Sequence, residues 1–282
     1  MANAVIEMQR LVDAANSLEP LPVSVTRLAT LIASDDYDAR DVVEVISFDP
    51  ALTASILRAA NSASSAASKA VSTVHDAVVR LGGGPVLSIA TGSAVRSRLK
   101  QIDDPAQAGV DAWRHAVTAA LSSELVREYS PMYVPAAAMT AALLHDVGKL
   151  VLAKALTPHM LHLIVQVAQA ERLTPLQAEM AVLETHHGEL GALAAEAWEL
   201  PEAITEAIRF HHSPWESSMP LSTAVYLSDM VAHAAASDDP YQIPNPTTIR
   251  ALEVMEIMPD DYGNMISGAI ERYEELADRF AA

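Results

Sequence analysis

No cysteine occurs among the 282 residues. Disulfides, thiolate metal sites and cysteine nucleophiles are thereby excluded, and any metal must be held by imidazole and carboxylate. Basic residues are scarce as well: 18 Lys and Arg stand against 36 Asp and Glu, a formal charge of -18. Such a surface repels polyanions, so nucleic acid is not expected as a partner, which leaves room only for a local basic pocket holding one small anion. Aromatics make up 5% and there are ten glycines, while alanine recurs in nearly every segment. That mix favours helices packed through small side chains over sheets. No apolar run reaches the roughly 18 residues that would span a bilayer. The opening residues carry Glu7, Arg10 and Asp13 in an amphipathic pattern, unlike the basic start and apolar run of a secretion signal. A cytoplasmic location without membrane association is expected.

Periodicity and punctuation predict an all-α multi-helix bundle. A first helix is expected over Asn3 to Ser17, ended by Pro20 and Pro22, which remove donors and bias their predecessors away from helix. Val25, Leu28 and Ile32 give a one-sided helix over Val23 to Ala33. Asp38 with Asp41 three residues on reads as an N-terminal signal, and Asp49 with Pro50 reads as N-cap and first helical position of the next helix. A short helix from His75 to Leu81 is expected to halt at Gly82, Gly83 and Gly84, with Pro85 to Leu99 helical again. Asp103, Asp104, Pro105 and Gly109 mark a seam between two lobes. Beyond it, helices are expected over 110–129, 135–155, 158–171, 174–186, 189–198, 201–212 and 219–236, with Pro201 at a first helical position. Ser237 to Thr248, carrying Pro240, Pro244 and Pro246, reads as a linker before closing helices that present an acidic, solvated face.

The chemistry is concentrated in a series of potential ligands, on or at the end of successive predicted helices of the second lobe: Asp111, His115, His145, Asp146, His187, His211, His212 and Asp229. A helical bundle builds interior metal sites in this way, from side chains on facing helices. Asp111 and His115 stand four residues apart and share a helix face. His145 and Asp146 are adjacent, about 100° apart around a helix, and so aim at different points. With two oxygens, Asp146 is suited to bridge two ions. Lys149, one turn after His145, is expected to offer its ammonium to a phosphate oxygen. His211 and His212 finish a helix, while Asp229 sits within the apolar run Val225 to Val231, where an unpaired buried carboxylate would be costly. The donor set suits iron, manganese, zinc or nickel better than calcium, as one ion or as a di-metal centre.

Other histidines have blander readings. His75, His159, His162 and His186 read as exposed or hydrogen-bonded in the core, and His233, one turn after Asp229, as exposed or as a group supporting the ligands. Glu179 and Glu184 are most simply surface carboxylates, with the orientation of His187 as the alternative role.

The order of His115, then HDVGK over His145 to Lys149, then Asp229 resembles the signature of HD-domain metal-dependent phosphohydrolases. The finer resemblance is to the HDOD family, HD-related output domains of bacterial signalling. It is carried by LPVSVTRL from Leu21, DPALTASILRAANSA from Asp49 to Ala63, AVVRLG from Ala77 to Gly82, and Trp113 with His115. Further on it is carried by LLHDVGKL from Leu143 to Leu150, the spacing of Glu179, His187 and Gly191, WELP from Trp198 to Pro201, and HHSP from His211 to Pro214. The resemblance implies an N-terminal helix over 1–18, an HDOD domain over 19–240 and a linker with closing helices over 241–282. The domain divides into a helical lobe over 19–105 and an HD-like core over 106–240. The ligand order is also similar to that of the HD-GYP phosphodiesterases of cyclic di-GMP, with two departures. Asp111 stands in place of a longer Glu, which bears on an extra ion. Ser213, Pro214 and Trp215 replace a Gly-Tyr-Pro motif, which bears on recognition of cyclic di-GMP.

The resemblance implies two functions, and both stay open at this point. One is a bacterial signal-transduction module that carries a metal and acts through signalling protein partners or by sensing a nucleotide or other phosphate ligand. The other is a metal-dependent phosphodiesterase or phosphohydrolase acting on a cyclic or linear nucleotide, with Asp146 and Lys149 as catalytic residues.

Overall fold

The computed structural model describes residues 8–34, 36–62, 71–99, 112–237 and 244–281. Among these there are sixteen α-helices and no strand. The first six are α1 (Met8–Asn16), α2 (Val23–Ala33), α3 (Ala39–Ser47), α4 (Pro50–Ser62), α5 (Val74–Leu81) and α6 (Gly83–Leu99). Next come α7 (Ala112–Tyr129), α8 (Ala138–Leu144), α9 (Gly148–Ala155), α10 (Pro158–Glu171), α11 (Pro175–Leu183) and α12 (His187–Ala197). Then follow α13 (Glu202–Arg209), α14 (Pro220–Ala235), α15 (Pro246–Val254) and α16 (Asp261–Ala281).

Local sequence signals set many of these boundaries. Asp38 accepts from the backbone N–H groups of Arg40 and Asp41, and Asp41 accepts from the N–H of Asp38, a reciprocal capping box that starts α3. Asp49 accepts from the Leu52 N–H at 3.0 Å, with Pro50 opening α4. Thr157 and Thr174 cap α10 and α11, each followed by proline. Of the three consecutive glycines, only Gly82 breaks the chain, at φ +79°. Gly83 already belongs to α6, where a β-carbon would clash with the Tyr37 hydroxyl oxygen. Prediction and structure differ further downstream. The segment expected as one helix over 135–155 is two helices separated by His145–Val147. Asn245 caps α15 and Pro246 takes its first position, so the end of the expected linker is helical. The seam residues Asp103 to Gly109 and the site candidate Asp111 lie outside the described residues.

One apolar core runs through much of the molecule, uniting Leu28, Ile32 and Ile56 of α2 and α4 with Leu144, Ile204 and Leu227 of α8, α13 and α14. Fully burying each such side chain contributes about 1.5–3 kcal/mol. A second cluster seats Leu11, Ala14 and Ala15 of α1 against Val151, Leu190 and Ala194 of α9 and α12. α16 packs on α7 and α14 through Met265, Ile266 and Ala269 and exposes Glu271, Glu274 and Glu275. Small residues decide what happens in the middle. Ala119, Ala142 and Ala232 form a buried cluster of their own, and side chains this short let α7, α8 and α14 approach closely. Each alanine lies three or four residues from His115, His145 or Asp229, so the same close approach brings those three side chains together.

Candidate metal centre

Two donor sets meet around Asp146. In the first, His115 Nε2 lies 3.2 Å from His145 Nε2 and 3.0 Å from Asp229 Oδ1. His145 Nε2 is 3.4 Å from the same Asp229 oxygen and 3.5 Å from Asp146 Oδ2. In the second, His187 Nε2 is 3.2 Å from Asp146 Oδ1 and 2.8 Å from His212 Nε2. The donor atoms of His187, His211 and His212 lie within 4.8 Å of one another, as do those of His115, His145 and Asp146. Asp146 thus turns one carboxylate oxygen toward each set. Of the eight predicted ligands, the seven within the described residues converge.

The break between α8 and α9 makes this possible. His145 and Val147 keep near-helical dihedrals, but Val147 N–H donates to Leu144 O at 2.8 Å and Lys149 N–H to Asp146 O at 3.0 Å. These are the tighter i to i+3 bonds of a 3-10 turn. Within this turn the Lys149 ammonium is 2.7 Å from Asp146 Oδ2, the oxygen that also faces His145, and its side chain is only 6% exposed. One correction concerns His211 and His212. The helix expected to reach them stops at Arg209, and Pro201 caps it from outside. The pair occupies a bend instead, closed by the Ser213 N–H to Phe210 O bond.

Backbone carbonyls orient the rings. His145 Nδ1 donates to Ala142 O at 2.7 Å and His211 Nδ1 to Ile208 O at 2.6 Å. A carbonyl can only accept, so both Nδ1 atoms carry hydrogen and both Nε2 atoms face the centre. Glu179 does the same for His187, accepting from its Nδ1 and from its backbone N–H, each at 2.8 Å. Glu179 is buried, which overturns its reading as a surface carboxylate; Glu184 is exposed at the end of α11. The available signal was its position four residues before buried Leu183, on the same helix face. His186, read as a bland histidine, caps α12 by accepting from the Gly188 N–H. His233 reaches Asp229 Oδ1 at 3.3 Å.

The electrostatics fit a cation. Burial raises the carboxyl pKa values of Asp146 and Asp229, but neighbouring basic groups outweigh it and hold both well below the usual carboxylate range. These groups are Lys149 and His145 for Asp146, and His233 and His145 for Asp229. Burial lowers His145, yet Asp146 and Asp229 carry it up to about 9. Without a metal, a proton therefore sits between this imidazole and the carboxylates at neutral pH. Burial, followed by neighbouring imidazoles, pushes His212 down to about 3 and His211 far below its usual value. Both are neutral and able to donate lone pairs. His211 Nε2 and Asp229 Oδ2 are buried without a partner among the described residues. Orphaned acceptors cost about 1–3 kcal/mol each, and a metal ion relieves that cost.

The fold has relatives. The HDOD domain family model matches residues 18–214. A protein from Marinobacter aquaeolei VT8 named "putative signal transduction protein" is 24% identical, with a TM-score of 0.76 over 98% of this chain and 66% of its own. One from Shewanella amazonensis SB2B named "putative phosphohydrolase" is 22% identical, with a TM-score of 0.69 over 95% of this chain and 98% of its own. At these identities the likeness is one of fold. An uncharacterized protein of Treponema pallidum is 26% identical over 237 residues, 82% of this chain, and the chain spans 45% of that relative's length. No single described helix is long and apolar enough to cross a membrane. With the family match covering most of the chain and an all-helical fold shared with solved relatives, the chain belongs to the HDOD domain family.

Proposed function

We propose that this HDOD chain is a bacterial signal-transduction module built around a di-metal centre, acting on signalling protein partners according to the occupancy of that centre. The observation that carries the reading is Asp146 with one oxygen facing each of two buried donor sets. His115, His145 and Asp229 would hold one ion, and His187, His211 and His212 the other. Imidazole and carboxylate without thiolate suit iron, manganese, zinc or nickel. The donors come from α7, the α8 to α9 turn, α12, the bend after α13, and α14. Metal binding energy therefore becomes folding energy for the whole second lobe, and occupancy is converted into rigidity that a partner can read.

A second reading has its own support. When bound, such a metal pair lowers the pKa of a water and polarises a phosphoryl oxygen. Beside it, the Lys149 ammonium is held next to Asp146, whose side chain is 13% exposed, and His212 is also partly exposed. These three residues would form the approach for a phosphate group, with Lys149 neutralising a non-bridging oxygen. On this reading the chain is a phosphohydrolase or phosphodiesterase acting on a nucleotide.

Elemental analysis of protein purified without added metal, followed by reconstitution and assay, separates the two. About two transition-metal ions per chain are expected, both lost in Asp146→Ala. Reconstituted protein that leaves bis(p-nitrophenyl) phosphate and cyclic dinucleotides intact supports the signalling reading. Turnover that vanishes in Asp146→Ala supports the enzyme. Protein that takes up no metal under any condition ends both.

A further inference from the structure

His233 lies outside the residues matched by the family model and outside the ligand series legible in the sequence. It stands one turn after Asp229 on α14, with its Nε2 3.3 Å from Asp229 Oδ1. Its ring centre is 4.5 Å from that of His115. The donor atoms of His115, Asp229 and His233 lie within 4.8 Å of one another. Around Asp229 Oδ1, three imidazole nitrogens therefore gather at 3.0, 3.3 and 3.4 Å, from His115, His233 and His145. Donors bound at about 2.1 Å to one ion sit roughly 3.0 Å apart when adjacent in an octahedron and roughly 3.4 Å apart in a tetrahedron. The observed spacings fall in that interval. Asp229 is 1% exposed and its Oδ2 is unpartnered among the described residues, so the carboxylate is not satisfied by His233 alone.

Resting on the metal-binding reading above, we propose that His233 is a further ligand of the ion held by His115, His145 and Asp229, supplied from the solvent side. Its side chain is 45% exposed, whereas those of the other three are 1% exposed. The ion would then have three imidazoles and one carboxylate among its protein donors. The exposed imidazole is also the ligand most easily displaced by an incoming oxygen donor.

Titration of the full chain with Co²⁺, read by visible absorption and by chelator competition, tests the assignment. Wild-type protein should bind two ions. His233→Ala and His233→Gln should each weaken one of them by about tenfold or more and shift its absorption bands, with the second ion unchanged. Gln still donates a hydrogen bond to Asp229, so a purely positioning His233 would leave its spectrum at wild type. Two ions bound with wild-type affinity and spectrum in both variants would overturn the proposal while leaving the di-metal reading intact. A wild-type chain that binds no Co²⁺ would overturn both together.

Discussion

Gly148 and Gly191 meet backbone to backbone. A β-carbon on Gly148 would lie 2.6 Å from the Gly191 nitrogen and inside the His187 carbonyl, and one on Gly191 would lie 3.1 Å from the Gly148 nitrogen. This contact seats the start of α9 on α12 and sets the 3.2 Å approach of Asp146 to His187. Gly148→Ala must push the two helices apart, and overpacking of this kind costs about 1–3 kcal/mol or more. A lower melting temperature and weaker metal retention are expected together. Gly263, also helical, has open space around its would-be β-carbon. Gly263→Ala should therefore stabilise by up to about 1 kcal/mol. Thermal melts of both variants check the contrast, and a neutral Gly148→Ala would show that the contact is not tight.

Glu179 supports His187 without reaching the other donors. Burial raises its pKa, but His187 outweighs that and keeps the carboxyl below its usual range, so it stays ionised. Glu179→Ala should reduce the affinity of the His187, His211 and His212 set by about 10 to 100-fold. The other set should be nearly unaffected. In chelator-treated protein the same variant should still lose about 1–3 kcal/mol, because the His187 N–H groups become unpartnered. Chelator competition and melts with and without EDTA separate the two effects.

Acid should weaken the start of α4 through Asp49. The Leu52 N–H bond is the main reason its carboxyl sits below the ordinary 3.8; burial opposes the shift, and the Ser24 hydroxyl adds to it at 2.9 Å. A folded pKa below the unfolded one means the unfolded chain takes the proton first. The stabilisation is complete above about pH 4, declines as pH falls, and is gone once the folded carboxyl itself is protonated. Asn caps without titrating, so the stability gap between wild type and Asp49→Asn should narrow as melts move from pH 6 to pH 3. Asp49→Ala should cost about 1 kcal/mol at neutral pH. A gap to Asp49→Asn that is constant with pH would show that the bond does not favour the ionised form.

Much of the fold is legible because helix ends are local. Asp38 with Asp41, and Asp49 with Pro50, announce themselves within a few residues, since capping is chemistry between near neighbours. The His145 to Val147 break carries no Gly or Pro inside it and is imposed by packing, so periodicity runs straight through it. Glu179 misleads for a related reason: carboxylates are almost always exposed, and only its distant partner His187 makes burial tolerable.

The chain by itself determined the helical class, the absence of thiolate chemistry and which residues carry candidate donor atoms, because residue type and helical period are properties of short segments. Which oxygen of Asp146 faces which histidines, where Lys149 puts its charge, and that His233 stands beside Asp229 and His115 were decided only in three dimensions. The physical reason is that donor geometry depends on how closely α7, α8, α12 and α14 approach, and that distance is set by alanine and glycine contacts between segments far apart in sequence.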